Sequence, residues 1–278
     1  MCRWVAYSGS PVSLADLLYG SEHSLVVQSL HAKLGNEETN GDGFGVGWYD
    51  DADGPAVFRG IEPAWNDRNL RDLSGHVRSG LVFAHVRAST HAPVQLSNCH
   101  PFRHGRWLFM HNGLIHDFVH VKRDLMLEVD PELFREIEGS TDSEVFFYLA
   151  LTLGLEEDPP AAVARAVGLI EAVGERHGVE VPLHMTVATT DGESIWAFRY
   201  ASGGADQGSL FFSTDVPTLR AQHPDNPMLA AASDEARLVV SEPLGSLEGA
   251  WNEVPPSSWG VVQPGDDELH GFEPVRPG

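Results

Sequence analysis

At 278 residues the chain is long enough to bury one large core or two small ones. Its 18 Lys and Arg against 40 Asp and Glu leave a formal charge of -22, which opposes association with nucleic acid or an anionic membrane. No apolar run reaches membrane-spanning length, no leader-like segment opens the chain, and two cysteines make no disulfide framework, so the cytoplasm is the expected compartment.

In chain order, "RWVAYSG" predicts a short strand reaching residue 8. "SLADLLYG" predicts a short helix capped by Ser13, with Asp16 at N3 close to a capping box. "GFGVGWYD" reads as a strand. Its glycines Gly43, Gly45 and Gly47, with Gly41 before them, clear one face while Phe44, Val46 and Trp48 pack the other. The glycine spacing fits neither the dinucleotide fingerprint nor a P-loop, so close packing competes with a ligand role. "GLVFAHVRAS" and "RWLFMHNGLI" are apolar and separated by turn residues, which predicts adjacent strands.

The pattern then changes to helices. "TDSEVFFYLALTLG" carries a capping box from Thr141 to Glu144 ahead of an apolar run. "PPAAVARAVGLIEAVGERHG" starts on prolines and recurs at helical spacing. "VPLHMTVATTDGESIWAFRYA" predicts a hairpin around its Asp-Gly turn, and "SLFFSTD", "ARLVVSEPL" and "WGVVQPG" supply further short strands. Strands, a helical pair and strands again favour an α+β domain of layered sheets and helices over residues 1–263, with 264–278 as a polar tail or edge extension.

Several stretches can carry chemistry, each with a plainer alternative. Cys2 is an incidental terminal residue, half of a disulfide with Cys99, or a thiol nucleophile whose own α-amine becomes its base once Met1 is removed. Arg87 closes an apolar strand, which needs either an internal salt bridge or an anionic substrate group for its charge. Only Lys33 and Lys122 are lysines, so arginine is the expected carboxylate clamp. Asn112 and Gly113 form either a tight turn or a pair of oxyanion donors. Asp142 either caps its helix or holds an ammonium group. Fourteen histidines raise the question of zinc, but no HExxH or compact Cys/His set is present, and neither metal nor organic cofactor is expected. Together these groups suit a γ-glutamyl substrate: carboxylate and amine at one end, a scissile carbonyl at the other.

The ordered set "MCR", "NGDGFGVGWY", "LVFAHVRASTH", "NCHPF", "FMHNGLI", "GSTDSE" and "VVSEPL" resembles the class II glutamine amidotransferases, a group of N-terminal-nucleophile hydrolases. The resemblance runs from Cys2 to at least Pro243 and implies a four-layer αββα sandwich. It implies Cys2 as the nucleophile, Arg87 for the substrate carboxylate, and Thr90 and His91 in the binding loop. It also implies Asn112 and Gly113 as the oxyanion pair and Asp142 for the substrate amine. Ala88 and Ala92 stand where the glutaminase domains of large synthases carry tryptophan and glycine, and no room for a synthase domain follows residue 278. The chain is more similar to the compact branch, which includes the γ-glutamyl hydrolase of ergothioneine biosynthesis and the amidotransferase-like subunit of fungal glutathione degradation. That likeness implies hydrolysis of a small γ-glutamyl amide through a thioester. The alternatives are a subunit working with a metallopeptidase-like or synthase partner, and a non-catalytic interaction module.

Overall fold

The computed structural model describes residues 2–34, 39–89, 92–205, 208–263 and 267–278. The chain opens with β1 (Arg3–Ser13), α1 (Leu14–Tyr19), α2 (Leu25–Leu30), β2 (Phe44–Trp48) and β3 (Ala56–Gly60). Next come α3 (Arg68–Ser74), β4 (Arg78–Val86), β5 (Phe102–His104) and β6 (Trp107–Ile115). The helical middle is α4 (Phe118–Leu127), α5 (Pro131–Phe134), α6 (Asp142–Thr152) and α7 (Pro159–Arg176). Then follow β7 (Leu183–Thr190), β8 (Ile195–Ala201), β9 (Phe211–Ser213), α8 (Val216–Gln222) and α9 (Pro227–Ala231). The last elements are β10 (Arg237–Val240), β11 (Trp251–Glu253), β12 (Ser258–Val262) and β13 (Glu268–Gly271).

The strands form two antiparallel sheets, ordered β11-β9-β10-β1-β4-β2-β3 and β13-β12-β8-β7-β6-β5. Three apolar clusters define the layers. Val5, Phe44, Val46, Val82 and Ala84 of the first sheet pack on Leu14, Leu18, Leu25 and Leu70 of the N-terminal helices. The opposite faces of β1 and β4, through Trp4, Ala6, Leu81 and Phe83, meet Leu108, Met110, Ala188 and Ala197 of the second sheet. Phe109, Met185, Val187 and Phe198 then pack outward on α4, α6 and α7. Period-two alternation along β1 and β6 thus feeds two cores at once. The result is a helix–sheet–sheet–helix sandwich.

Expectation and structure differ in instructive places. β1 continues to Ser13, because a register irregularity between Ser8 and Val12 lets it resume pairing with Ser79 and Arg78. β4 and β6 are not neighbours in one sheet. β4 pairs with β1 and β2, whereas β6 pairs with β5 and β7, and the two strands face each other across the middle core. Both are apolar on two faces, so their sequences carry no sign of which sheet each joins. The expected caps form: Ser13 Oγ accepts from Ala15 N at 3.1 Å, and Thr141 Oγ1 from Glu144 N at 3.2 Å. Helix α6 is buried nearly all round, as its apolar composition requires. Within the stretch expected to be a polar tail or edge extension, β13 pairs with β12, Phe272 enters the outer core, and Val275 N bonds Ala164 O at 2.9 Å.

The glycines of β2 serve packing. A Cβ on Gly45 would stand 2.1 Å from the carbonyl oxygen of His100, and one on Gly47 would stand 2.7 Å from Leu108 Cδ1. The bare face lets the segment leading into β5 and the side chains of β6 approach the first sheet. Gly45→Ala should therefore cost about 3 kcal/mol, since rigid backbone must move. Gly245→Ala, with nothing within 4 Å of its Cβ, should cost under about 1 kcal/mol. Equal denaturation midpoints for the two variants would contradict this account of β2.

Candidate active site

The antiparallel register of β1 and β4 pairs Arg3 with Val86, so the residue before Arg3 meets the residues after Val86. Cys2 Sγ accepts from Ala88 N at 3.4 Å and donates to Ala88 O at 3.5 Å. Burial pushes the Cys2 thiol up from its ordinary range, against the opposing pull of the Ala88 N–H and the positive charges of Arg87 and Arg3. Cys99 is fully buried and bonds toward Gly60 O and Gln95 O, and both cysteines are free thiols. The disulfide reading is thereby overturned.

Arg87 sits one residue past β4, only 4% exposed. Its main chain is held by Gly43 O and Asp42 N, at 2.8 and 2.9 Å. Its guanidinium donates to the carbonyl oxygens of Asp42, Pro93 and Ala92 and to Ser89 Oγ, at 3.0–3.4 Å. Among the described residues no carboxylate pairs with it. Among the described residues the internal salt bridge is thus absent, and the cation beside Cys2 has only neutral partners. Asp42 Oδ2 accepts from Ser89 N at 2.7 Å and shapes the turn after Arg87. Thr90 and His91 lie outside the described residues.

The facing sheet contributes the other groups. Asn112 and Gly113 lie inside β6, paired with Thr186 and Met185 of β7, so they do not form a turn. A Cβ on Gly113 would stand 2.1 Å from His184 O and 2.4 Å from His111 Nε2, which excludes any larger residue without a backbone shift. The buried Asn112 Oδ1 has no hydrogen-bond partner among the described residues. Asp142 opens α6; its carboxylate accepts from Ser143 N and from Ile115 N, both at 2.8 Å. It is thus tied to the end of the strand that carries Asn112, and His111 Nδ1 to Ser143 Oγ at 2.9 Å makes a second tie. Trp4 Nε1 reaches Thr186 Oγ1 at 3.4 Å, which joins the start of β1 to the strand pair carrying Asn112.

Beneath these groups lie buried histidines. His85 and His100 stack with ring centroids 4.2 Å apart, and His111 lies close to both. Burial, reinforced by the charge of Arg87, lowers His85 to about 3. Burial lowers His100 and His111 as well. Among the described residues no set of His, Cys, Asp and Glu has metal-binding geometry. The sequence pattern points to Cys2, Arg87, Asn112, Gly113 and Asp142 individually. It does not point to Asp42, nor to Ser241 and Glu242, which grip the start of β1: Trp4 N donates to Ser241 Oγ at 2.9 Å, and Arg3 Nε to Glu242 Oε2 at 2.7 Å. Asp42 lies within "NGDGFGVGWY", and Ser241 and Glu242 within "VVSEPL".

Two antiparallel sheets sandwiched between helices, with a cysteine leading into a central strand, define the N-terminal-nucleophile hydrolase class. Residues 20–276 match the family described as glutamine amidotransferases class-II, and the chain belongs to that family and is an enzyme of the hydrolase type. It is 36% identical to the probable glutamine amidotransferase DUG3 of Saccharomyces cerevisiae over 93% of this chain and 80% of that protein. It is 32% identical to the gamma-glutamyl-hercynylcysteine sulfoxide hydrolase of Mycolicibacterium smegmatis over 73% of this chain and 85% of that one. A glutamine aminotransferase class-II domain protein from Silicibacter pomeroyi superposes with a TM-score of 0.75 at 33% identity, covering 99% of this chain and 100% of the other. No helix among the described residues is long and apolar enough to cross a membrane.

The buried histidines set an acid limit on stability. His85 folds with its pKa at about 3 instead of 6.5, so between those values the unfolded chain binds the extra proton. Stability therefore rises with pH through that window and falls as the solution is acidified from about 6.5 toward 3. In thermal melts His85→Gln should flatten that acid-side fall. An identical slope in wild type and variant would remove His85 from the account.

Proposed function

We propose that the protein hydrolyses a γ-glutamyl amide through a γ-glutamyl thioester on Cys2. The observation that carries this reading is the guanidinium of Arg87, buried beside Cys2 with no carboxylate partner among the described residues. A buried cation left with carbonyl neighbours is suited to an anionic group from outside, and its planar fork matches a carboxylate. The names of the relatives from Saccharomyces cerevisiae and Mycolicibacterium smegmatis support the same bond class.

In this reading Met1 is removed, and the freed α-amine takes the Cys2 thiol proton. A thiol raised by burial needs such a base. The sulfur attacks the γ-carbonyl carbon while the Asn112 amide and the Gly113 N–H receive the developing oxyanion. The amine then returns its proton to the departing nitrogen as the C–N bond breaks. Water attacks the thioester, releases glutamate and restores the thiol. Arg87 holds the α-carboxylate, Asp142 holds the α-ammonium, and Thr90 and His91 complete the binding loop. The chemistry is assigned to residues 1–263, with 264–278 as an extension of the sheet edge.

Arg87 and Asp142 read only the glutamyl head, so they do not distinguish leaving groups. Ala88, where the glutaminase domains of large synthases carry tryptophan, favours a leaving group larger than ammonia. The test is kcat/KM for glutamine, glutathione and larger γ-glutamyl thiols, with and without cell extract. A preference for free glutamine by the purified protein would favour the glutaminase-subunit reading, and activity confined to the extract arm would point to a required partner. Cys2→Ala should abolish glutamate release. Asn112→Ala should lower kcat roughly 10²–10³-fold with little change in KM, because its amide acts mainly in the transition state. Full activity in Cys2→Ala, or labelling by a γ-glutamyl electrophile at Cys99 alone, would refute the mechanism.

A further inference from the structure

The string "VVSEPL" plays no part in the chemistry above, yet it closes around the start of β1. Glu242 is 2% exposed, and four donors converge on its carboxylate. Arg3 Nε and Leu34 N reach Oε2 at 2.7 and 3.0 Å. Lys33 N reaches Oε1 at 2.9 Å, and His23 Nε2 makes a short contact with the same oxygen. Arg3, itself 2% exposed, turns its Nη1 back to the carbonyl oxygen of Cys2 at 2.8 Å. One residue on, Ser241 grips Trp4 from both sides: its Oγ accepts from Trp4 N, and its N–H donates to Trp4 O at 3.2 Å. Gln28 of α2 donates to the carbonyl oxygens of His23 and Glu242, which locks the helical layer onto the same point.

The alternation of β1 explains the division of labour. Trp4 and Ala6 enter the core between the sheets, whereas Val5 and Tyr7 face the helices. Arg3 shares the parity of Val5 and Tyr7, and Cys2 that of Trp4. A charged pair buried under α2 is a poor way to stabilise that layer, since apolar residues of similar volume serve stability as well or better. What the pair adds is direction: a planar guanidinium with fixed donors joins a fixed carboxylate to the peptide of the nucleophile.

We propose that Glu242 is a positioning residue for Cys2, acting through Arg3, and that the same carboxylate couples the nucleophile to the docking of the Lys33–Leu34 segment. This rests on Cys2 being the nucleophile. Among the described residues no hydrogen bond or ion pair joins Glu242 to Arg87 or Asp142, so its loss is expected to leave binding of the glutamyl head largely unchanged. Glu242→Gln keeps the volume but turns an amide N–H₂ toward one pair of donors. Arg3→Lys keeps the charge but loses the fork that spans Glu242 and the Cys2 carbonyl.

The test compares kcat and KM on whichever γ-glutamyl amide the wild type hydrolyses, in Glu242→Gln, Glu242→Asp, Arg3→Lys and the comparator Glu171→Gln. Glu171 is a buried carboxylate on α7 that accepts from Tyr200 Oη at 2.6 Å, away from the site. Glu242→Gln and Arg3→Lys should lower kcat roughly 10–100-fold, the scale of a misplaced reacting group, with KM within about twofold. Glu242→Asp should recover part of the loss, and Glu171→Gln should behave as wild type. A raised KM at unchanged kcat, or an equal loss in Glu171→Gln, overturns the proposal. If Glu242→Gln does not fold, Arg3→Lys carries the same comparison. If the wild type turns over no γ-glutamyl amide, it is the proposed function that fails, and alkylation of Cys2 by iodoacetamide becomes the readout. A rate shifted several-fold in Arg3→Lys or Glu242→Gln then supports positioning, and an unchanged rate overturns it.

Discussion

The pairing of β1 with β4 is the constraint on which the site depends. Arg3 opposite Val86 puts Cys2 against the Ala88 backbone and beside the Arg87 guanidinium. A slip of one residue would exchange the two faces of β1, sending Trp4 under the helices and Arg3 into the core between the sheets. β1 is flanked on its other side by β10, so the same register also brings Ser241 and Glu242 to the Cys2 end of the strand. A cysteine next to the chain start would fray if left alone. Here it is held because the strand behind it is pinned on both edges.

Charge around the site is arranged by who is left without a partner. The protein carries 40 acidic residues, yet the guanidinium of Arg87 has no carboxylate among the described residues. Arg3, on the helix-facing side of β1 with Val5, is instead matched by Glu242. The neighbouring histidines stay neutral because burial and the Arg87 charge both oppose their protonation. The consequence is a region where positive charge is concentrated on one buried fork, while burial pushes up the thiol beside it.

Close approach of the two sheets rests on glycines. Gly45 and Gly47 let the chain around His100 and the side chain of Leu108 come against the first sheet, and Gly113 lets β7 and His111 close around the strand that carries Asn112. Helix α6 then delivers Asp142 to the end of that strand, with Ile115 N as the fastening point. The local signal for each of these was a composition: glycine on alternate positions, a capping box, a polar pair closing an apolar strand. Each of those signals had a plainer reading, and the tertiary structure removed two of them. Asn112–Gly113 is not a turn, and among the described residues Arg87 is not half of a salt bridge.

Strand alternation, the capping boxes and the Asp-Gly hairpin are local properties of the chain, carried by neighbours a few residues apart. For that reason the sequence alone determined β2, β4, β6, β10, β12, the β7–β8 hairpin and helices α1, α6 and α7, and it marked Cys2, Arg87, Asn112, Gly113 and Asp142 as chemically unusual. It left α2, α3, α4 and β3 unmarked, since short amphipathic segments gain most of their stability from the surface they cover. Sheet membership was beyond its reach. β4 and β6 are apolar on both faces, and nothing in either string says that they oppose each other across a core instead of pairing. The contacts of Cys2 with Ala88, of Arg3 with Glu242 and of Ile115 with Asp142 join residues 86, 239 and 27 positions apart. Only the tertiary structure decides such contacts, because they depend on strand order and register, which are settled by how all the apolar faces are buried together.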